Sequence, residues 1–244
     1  MSATHGRIEL HASLPSTSDR AIARAEAGEA PWFAVLAETQ TAGRGRHGRP
    51  WLSPPGNLHL SVLLDARVAR PGGLGLLAGV AAVDALAPLL PEGIALHLKW
   101  PNDLVAEGCK LGGVLIEAGT RGDGASWAVA GIGVNLVAHP CDADRPATSL
   151  AALGVTPPLP RALAEAVIDR LIAWSWRARA DGFGVIVAAW QRRAQPPGTA
   201  ISVRLPAGSV SGRYAGLDAD GALLLSLADG RMRRVVAGEV FPGG

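Results

Sequence analysis

Residues 43–51, GRGRHGRPW, place three arginines and a histidine among three glycines and end on Pro50 and Trp51. Guanidinium groups suit bidentate contact with carboxylate or phosphate. On a glycine frame they predict a mobile loop that closes on an anion. GRGRHG also fits G-x-G-x-x-G. That fingerprint, however, must open a helix whose N-terminus holds a pyrophosphate. Arg49-Pro50-Trp51, followed by Pro54-Pro55-Gly56, cannot continue as a helix, so a dinucleotide loop is excluded. Gly73, Gly75 and Ala78 make a chance match inside an apolar run, and GIGVNL fails at its last position.

A basic turn can be mere surface, but this chain has a net charge of only +2. Among its 23 Lys and Arg, only Lys99 and Lys110 are lysines, and its asparagines are Asn57, Asn102 and Asn135. Arg and Lys differ in shape and hydration, so positions that keep Lys in an Arg-rich chain are candidates for chemistry. All five fall in or beside motif-like stretches. In KWPND, Lys99 and Asp103 flank a turn, and Asn102 and Asp103 could hold a metal or a ribose. In KLGGVLIE, Lys110 leads a strand whose Gly112 and Gly113 predict close approach to the backbone. The histidines show no metal-ligand spacing, Cys109 has no histidine partner for nucleophilic work, and G-x-S-x-G is absent. Arg, Lys and one or two carboxylates without a nucleophile suit phosphoryl or adenylyl transfer, where catalysis is positioning plus charge neutralisation.

The elements that must position these groups follow from periodicity. Strands are expected at 7–10, 33–40, 58–64, 94–103, 110–119 and 126–136. The Asp123-Gly124 turn predicts antiparallel neighbours and a largely antiparallel sheet. Thr17 or Ser18 is expected to cap a helix ending near Gly28. The apolar run 74–90 could be taken for a membrane span, but a central Asp84 costs about 2.5–3.5 kcal/mol on insertion scales, so a buried helix is expected. Leu163, Val167, Leu171 and Trp174 form one helical stripe, Phe183, Val187 and Trp190 a second, and Trp174, Trp176 and Trp190 are assigned to the core. Gln195-Pro196-Pro197-Gly198 marks the boundary between a domain at 1–195 and a small one at 196–244. There, short strands with Asp220-Gly221 and Asp229-Gly230 turns predict an SH3-like barrel.

A 48% hydrophobic, 18% charged composition is globular. The small net charge, one Tyr and three Phe argue against general nucleic-acid binding. Two cysteines give no disulfide framework, and MSATHGRIEL has neither the basic lead nor the apolar core of a signal peptide, so a cytoplasmic protein is expected.

In this order and spacing, ETQTAGRGRHGRPW, PPGNLHLSVLL, LKWPNDL, KLGGVLIE, GIGVNL and ATSLAALG resemble the biotin–protein ligases, from about residue 8 to the end of the chain. The resemblance implies an α/β fold related to class II tRNA synthetases. It implies ATP and Mg2+ as co-substrate and metal, biotinyl-5′-AMP as intermediate, and transfer of biotin to a lysine of a biotin carboxyl carrier protein. It places Ser16, Thr17, Ser18, Gln40, Gly43, Arg44, Gly45, Arg46, Lys110 and Gly113 at biotin. Arg46, Arg49, Trp51, Asn102, Asp103, Lys110 and Asn135 fall at ATP, with Asp103 at the metal. Lys110, Arg44 and Arg46 are the catalytic candidates. Ser18 departs from the family's usual Asn. Few residues precede the catalytic domain, which predicts a monofunctional ligase with no DNA or membrane partner; homodimer formation is left open. Lipoate–protein ligase is the rival enzyme reading, and an anion-binding module is the rival of another class.

Overall fold

The computed structural model describes residues 7–141, 146–206 and 208–243. The N-terminal residues read for a signal peptide, His5 among them, lie partly outside that set.

Seven strands form one sheet in the order β1-β2-β3-β7-β6-β5-β4. They are β1 (Ile8–Leu14), β2 (Ala34–Gln40), β3 (Leu58–Leu64), β4 (Leu96–Lys99), β5 (Asp103–Ala106), β6 (Cys109–Thr120) and β7 (Ser126–Val134). Only β1 and β2 run parallel; every other pair is antiparallel. Strand 94–103 corresponds to β4, but the stretch after Trp100-Pro101 is a hairpin, with Asp103–Ala106 returning as β5. The turn residues of KWPND masked that return.

Helix α1 (Thr17–Glu26) covers one face, its Ala21 and Ala25 packing on Val35, Leu63 and Val129. Its N-cap is Ser16, whose Oγ accepts from the Asp19 amide, rather than Thr17 or Ser18. Glu9 on β1 accepts from Arg20 and Arg24 of α1. Chiefly through Arg20, its carboxyl is held down at about 2.

Helices α2 (Pro71–Leu86), α3 (Pro160–Asp181) and α4 (Gly184–Gln191) cover the other face. Apart from Asp84, helix α2 is apolar all round, as burial on nearly every side requires. The segment Pro71–Leu89 is long and apolar enough to cross a membrane, yet 67% of its most apolar window is buried inside the fold. Asp84 receives hydrogen bonds from Trp174 Nε1 at 2.9 Å and Arg193 Nη2 at 2.5 Å, so its charge is paired within the protein. Trp174 and Trp190 are core, but Trp176 is 66% exposed. It lies off the Leu163–Val167–Leu171–Trp174 stripe, which explains why its core assignment fails.

The C-terminal strands β8 (Ala200–Leu205), β9 (Gly208–Leu217), β10 (Leu223–Ser226), β11 (Met232–Val235) and β12 (Glu239–Pro242) form a second, antiparallel sheet. Strands β11 and β12 are separated by residues 236–238. Asp220-Gly221 and Asp229-Gly230 turn the chain as expected, each glycine at positive φ. Ile201, Val203, Tyr214 and Leu223 join the same hydrophobic core as Trp100 and Trp190.

Candidate active site

On β3 the even residues Leu58, Leu60, Val62 and Leu64 enter the main core, while Leu63 belongs to the α1 face. The odd positions His59 and Ser61 therefore share the α1 side. Strand register sets His59 beside Gly133, Gly133 beside Gly113, and Gly113 beside Asp103. Two glycines in this row clear a groove. Trp51 lies in it: a Cβ on Gly133 would stand 2.6 Å from the indole. The close neighbour at Gly113 is the Lys110 side chain, 3.5 Å from where its Cβ would be, whereas a Cβ on Gly112 would strike the Gly133 carbonyl.

The groove widens into a cleft of about 790 Å3, within the range of small-molecule and cofactor sites. All fifteen site residues named from the sequence line it: Ser16, Thr17, Ser18, Gln40, Gly43, Arg44, Gly45, Arg46, Arg49, Trp51, Asn102, Asp103, Lys110, Gly113 and Asn135. Lys99 is not among the lining residues; its ammonium stands 5.9 Å from the Phe241 ring centroid.

Polar groups crowd one end. The Gln40 Oε1 accepts from the Thr17 amide at 2.8 Å and from the Thr17 hydroxyl at 3.0 Å, while its Nε2 donates to Ser53 Oγ at 3.0 Å. Ser61 Oγ lies 2.8 Å from Thr17 Oγ1 and 3.1 Å from Ser18 Oγ. Gln40 thus satisfies an otherwise orphan N–H of α1 and orients the hydroxyls with the same amide.

Lys110 Nζ pairs with Asp103 Oδ1 at 2.6 Å and stands 5.6 Å from the Trp51 ring centroid. The lysine backbone is bracketed by residues 146–148: its amide donates to the Pro146 carbonyl and its carbonyl accepts from the Thr148 amide. Asn135 Nδ2 donates to the Thr148 carbonyl at 3.0 Å. Asn57, by contrast, is architectural. Its Oδ1 accepts the amides of Leu136, Val137 and Ala138, and its Nδ2 donates to the Ala138 carbonyl. Only a carboxamide supplies both roles.

The loop arginines are engaged by the protein. Arg44 pairs with Asp19 at 2.6 Å and Glu117 at 2.9 Å; the Asp19 contact is the chief cause that raises its pKa, so it stays charged. Arg46 donates to Asn102 Oδ1 at 3.4 Å and to the Gly238 carbonyl. Arg49 meets Glu239 at 2.5 Å. The loop holds a short 3-10 turn, Arg46–Gly48, and no α-helix, in line with rejection of the dinucleotide fingerprint.

The sequence reading missed Asp19, Glu117, Glu239, Ser61 and His59. His59 is 1% exposed, and its Nε2 lies 3.1 Å from the Pro54 carbonyl. That contact assigns the proton to Nε2 and leaves Nδ1 an acceptor. Burial lowers its pKa. His59 Nδ1 and Trp51 Nε1 are both buried without a hydrogen-bond partner in the protein. The alternation of LHLSVLL, which sends His59 to the face opposite Leu58 and Leu60, was the available signal.

Residues 13–135 match the Biotin/lipoate A/B protein ligase family. Fold and cleft therefore define a ligase that joins a small carboxylic acid to a protein. Residues 198–243 match the Biotin protein ligase C terminal domain. The chain is 36% identical over 243 residues to a biotin–[acetyl-CoA-carboxylase] ligase of Mycobacterium tuberculosis, covering 96% of this chain and 88% of that one. A biotin protein ligase from Aquifex aeolicus in complex with biotin and ATP matches with a TM-score of 0.82 and 26% identity, covering 96% and 97% of the two chains. One from Leishmania major in complex with biotinyl-5-AMP matches with a TM-score of 0.64 and 28% identity, covering 95% and 99%. This chain belongs to the biotin protein ligase family, whose members activate biotin with ATP and transfer it to a carrier protein.

Proposed function

We propose that the cleft carries both half-reactions of this biotin ligase, with roles divided along its length. The hydroxyls of Ser16, Thr17 and Ser18 and the Gln40 amide form a rim of donors and acceptors suited to the ureido ring of biotin. Gly43, Gly45 and Gly113 let that ligand approach the backbone. Ser18, where the family usually has Asn, offers a short hydroxyl that rests on Gly131.

Beside that rim stands Arg44, which donates to Ser16 Oγ at 3.3 Å; with Lys110 and Arg46 further along the cleft, it neutralises charge as the biotin carboxylate oxygen attacks the α-phosphorus of ATP. The α–β phosphoanhydride bond breaks and pyrophosphate leaves. Lys110, a compact ammonium held by Asp103, is placed to bridge carboxylate and α-phosphate. Arg49, Trp51, Asn102 and Asn135 complete the nucleotide end. In the second half, the acceptor lysine amine attacks the acyl carbonyl of biotinyl-5′-AMP, AMP leaves, and the amine proton passes to solvent.

No cluster of three metal-ligating side chains exists among the described residues. A Mg2+ carried on the triphosphate needs only one or two protein carboxylates, and Asp103 fits that part. Bound there with ATP, it would neutralise phosphate charge. We assign residues 1–195 to adenylation and read the C-terminal sheet as the small barrel that the resemblance implies. A biotin carboxyl carrier protein, as in acetyl-CoA carboxylase, is the acceptor, in the cytoplasm. DNA has no part in this reading.

The observation that carries this reading is the convergence of fifteen residues from scattered motifs on one cleft, with Lys110 paired to Asp103. The match at residues 198–243 favours biotin over lipoate. Mass spectrometry of products formed from ATP with biotin, lipoate or octanoate tests it. Biotinyl-5′-AMP in excess is expected; lipoyl- or octanoyl-AMP in excess would change the substrate.

A further inference from the structure

The arginine loop spans two bodies. At one end Arg44 is held by Asp19 of α1 and Glu117 of β6. At the other, both remaining arginines reach the C-terminal sheet at consecutive residues. The Arg46 guanidinium donates from Nη1 and Nη2 to the Gly238 carbonyl, each at 3.2 Å. Arg49 donates from Nη1 to Glu239 Oε1 at 2.5 Å and from Nη2 to Oε2 at 3.1 Å. This is the bidentate fork that gives a guanidinium–carboxylate pair direction as well as strength.

Glu239 is built for this contact. It opens β12 and pairs in register with Arg204 of β8, whose guanidinium lies 3.8 Å from Oε2. Its side chain is only 15% exposed, against 55% for Arg49, so the carboxylate is the fixed partner and the arginine the docked one. Glu239 and Val240 also line the cleft.

We propose that Glu239 is a positioning residue: acting through Arg49, it latches the arginine loop across the cleft and slows escape of the acyl-adenylate. This deepens the functional reading above and rests on it. The second sheet then serves the reaction through the loop. The adenylate is a reactive mixed anhydride, so a loop tied at both ends would limit both its loss and the entry of water.

The test uses the full chain with the isosteric variant Glu239→Gln, alongside Arg49→Gln and the double variant. Labelled biotinyl-5′-AMP is formed on the enzyme and its release is followed under chase. Glu239→Gln should release it about three- to fivefold faster, the scale of one partly exposed ion pair, with an unchanged melting temperature. The double variant should be no faster than Arg49→Gln alone, because both substitutions break one contact. Tryptic cleavage after Arg46 without any ligand should accelerate in Glu239→Gln, and Glu239→Asp should restore part of the protection. A merely structural role would move the melting temperature and leave this coupling absent. Wild-type release and cleavage rates in Glu239→Gln, or effects of Glu239→Gln and Arg49→Gln that multiply, would overturn the latch alone. Wild-type protein that forms no biotinyl-adenylate would overturn the functional reading, and with it the latch's role in adenylate retention.

Discussion

At the residue scale, the cleft contains a buried, neutral histidine. Burial holds the folded-state pKa of His59 below its ordinary 6.5, so below that pH the unfolded chain binds the extra proton and the folded one resists it. Stability is therefore full above about pH 6.5 and falls as pH drops through the window beneath it. A melting series from about pH 7.5 to 5.5 should show this slope in the wild type and a flatter one in His59→Phe. Equal slopes would contradict the assignment. Much of the residue-level site was legible because rare residue types stood in short motifs: Lys110, Asn102 and Asn135 all line the cleft. Asn57 stood out for the same reason yet holds backbone amides. Rarity marks a residue with no substitute, and it does not say whether architecture or ligand makes the demand. Asp19, Glu117 and Glu239 were illegible because an ion pair such as Arg49 with Glu239 joins positions 190 residues apart. Local spacing carries no trace of it.

Elements that alternate or step at a clear period were read well. Strand β3 has the expected bounds, and α3 buries the expected stripe. Strand β5 was missed because turn residues precede it, and Ser16 took the cap because Gln40 engages Thr17. Two glycine substitutions separate positional demands. Gly133→Ala puts a methyl 2.6 Å from the Trp51 indole, so the ring must move. The KM for ATP should rise by about tenfold or more, given the cost of misplacing binding groups by an ångström. Gly75→Ala, inside α2, meets only Ile116 at 3.5 Å. It should stabilise by roughly 0.5–1 kcal/mol through helix entropy, seen as a melting temperature higher by about 1–4 °C with unchanged kinetics. An ATP KM unmoved by Gly133→Ala, or a lower melting temperature in Gly75→Ala, would contradict these packing assignments.

At the scale of the whole molecule, the boundary at residues 195–198 divides the chain but not its core. Trp100 Nε1 donates to the Gly221 carbonyl at 3.2 Å, and Gln191 Oε1 accepts the Leu217 amide at 2.8 Å. One hydrophobic cluster runs through both sheets. We therefore expect a single calorimetric transition with equal van't Hoff and calorimetric enthalpies, and a fragment of residues 1–195 that melts well below the full chain. Two separate transitions would show that the second sheet is an independent unit. The boundary is legible because Pro-Pro-Gly breaks the chain locally; burial shared across it is a non-local property that composition does not carry.

The central claim is that this cleft adenylates biotin and that Lys110 neutralises charge as it does so. Biotin-dependent exchange of pyrophosphate into ATP, measured on the wild type and on Lys110→Ala, tests it most directly. The account predicts exchange that requires biotin and falls by roughly a hundredfold or more in the variant, the scale of losing a preorganised charge-stabilising group. Undiminished exchange in Lys110→Ala, or no exchange with biotin in the wild type, would contradict it.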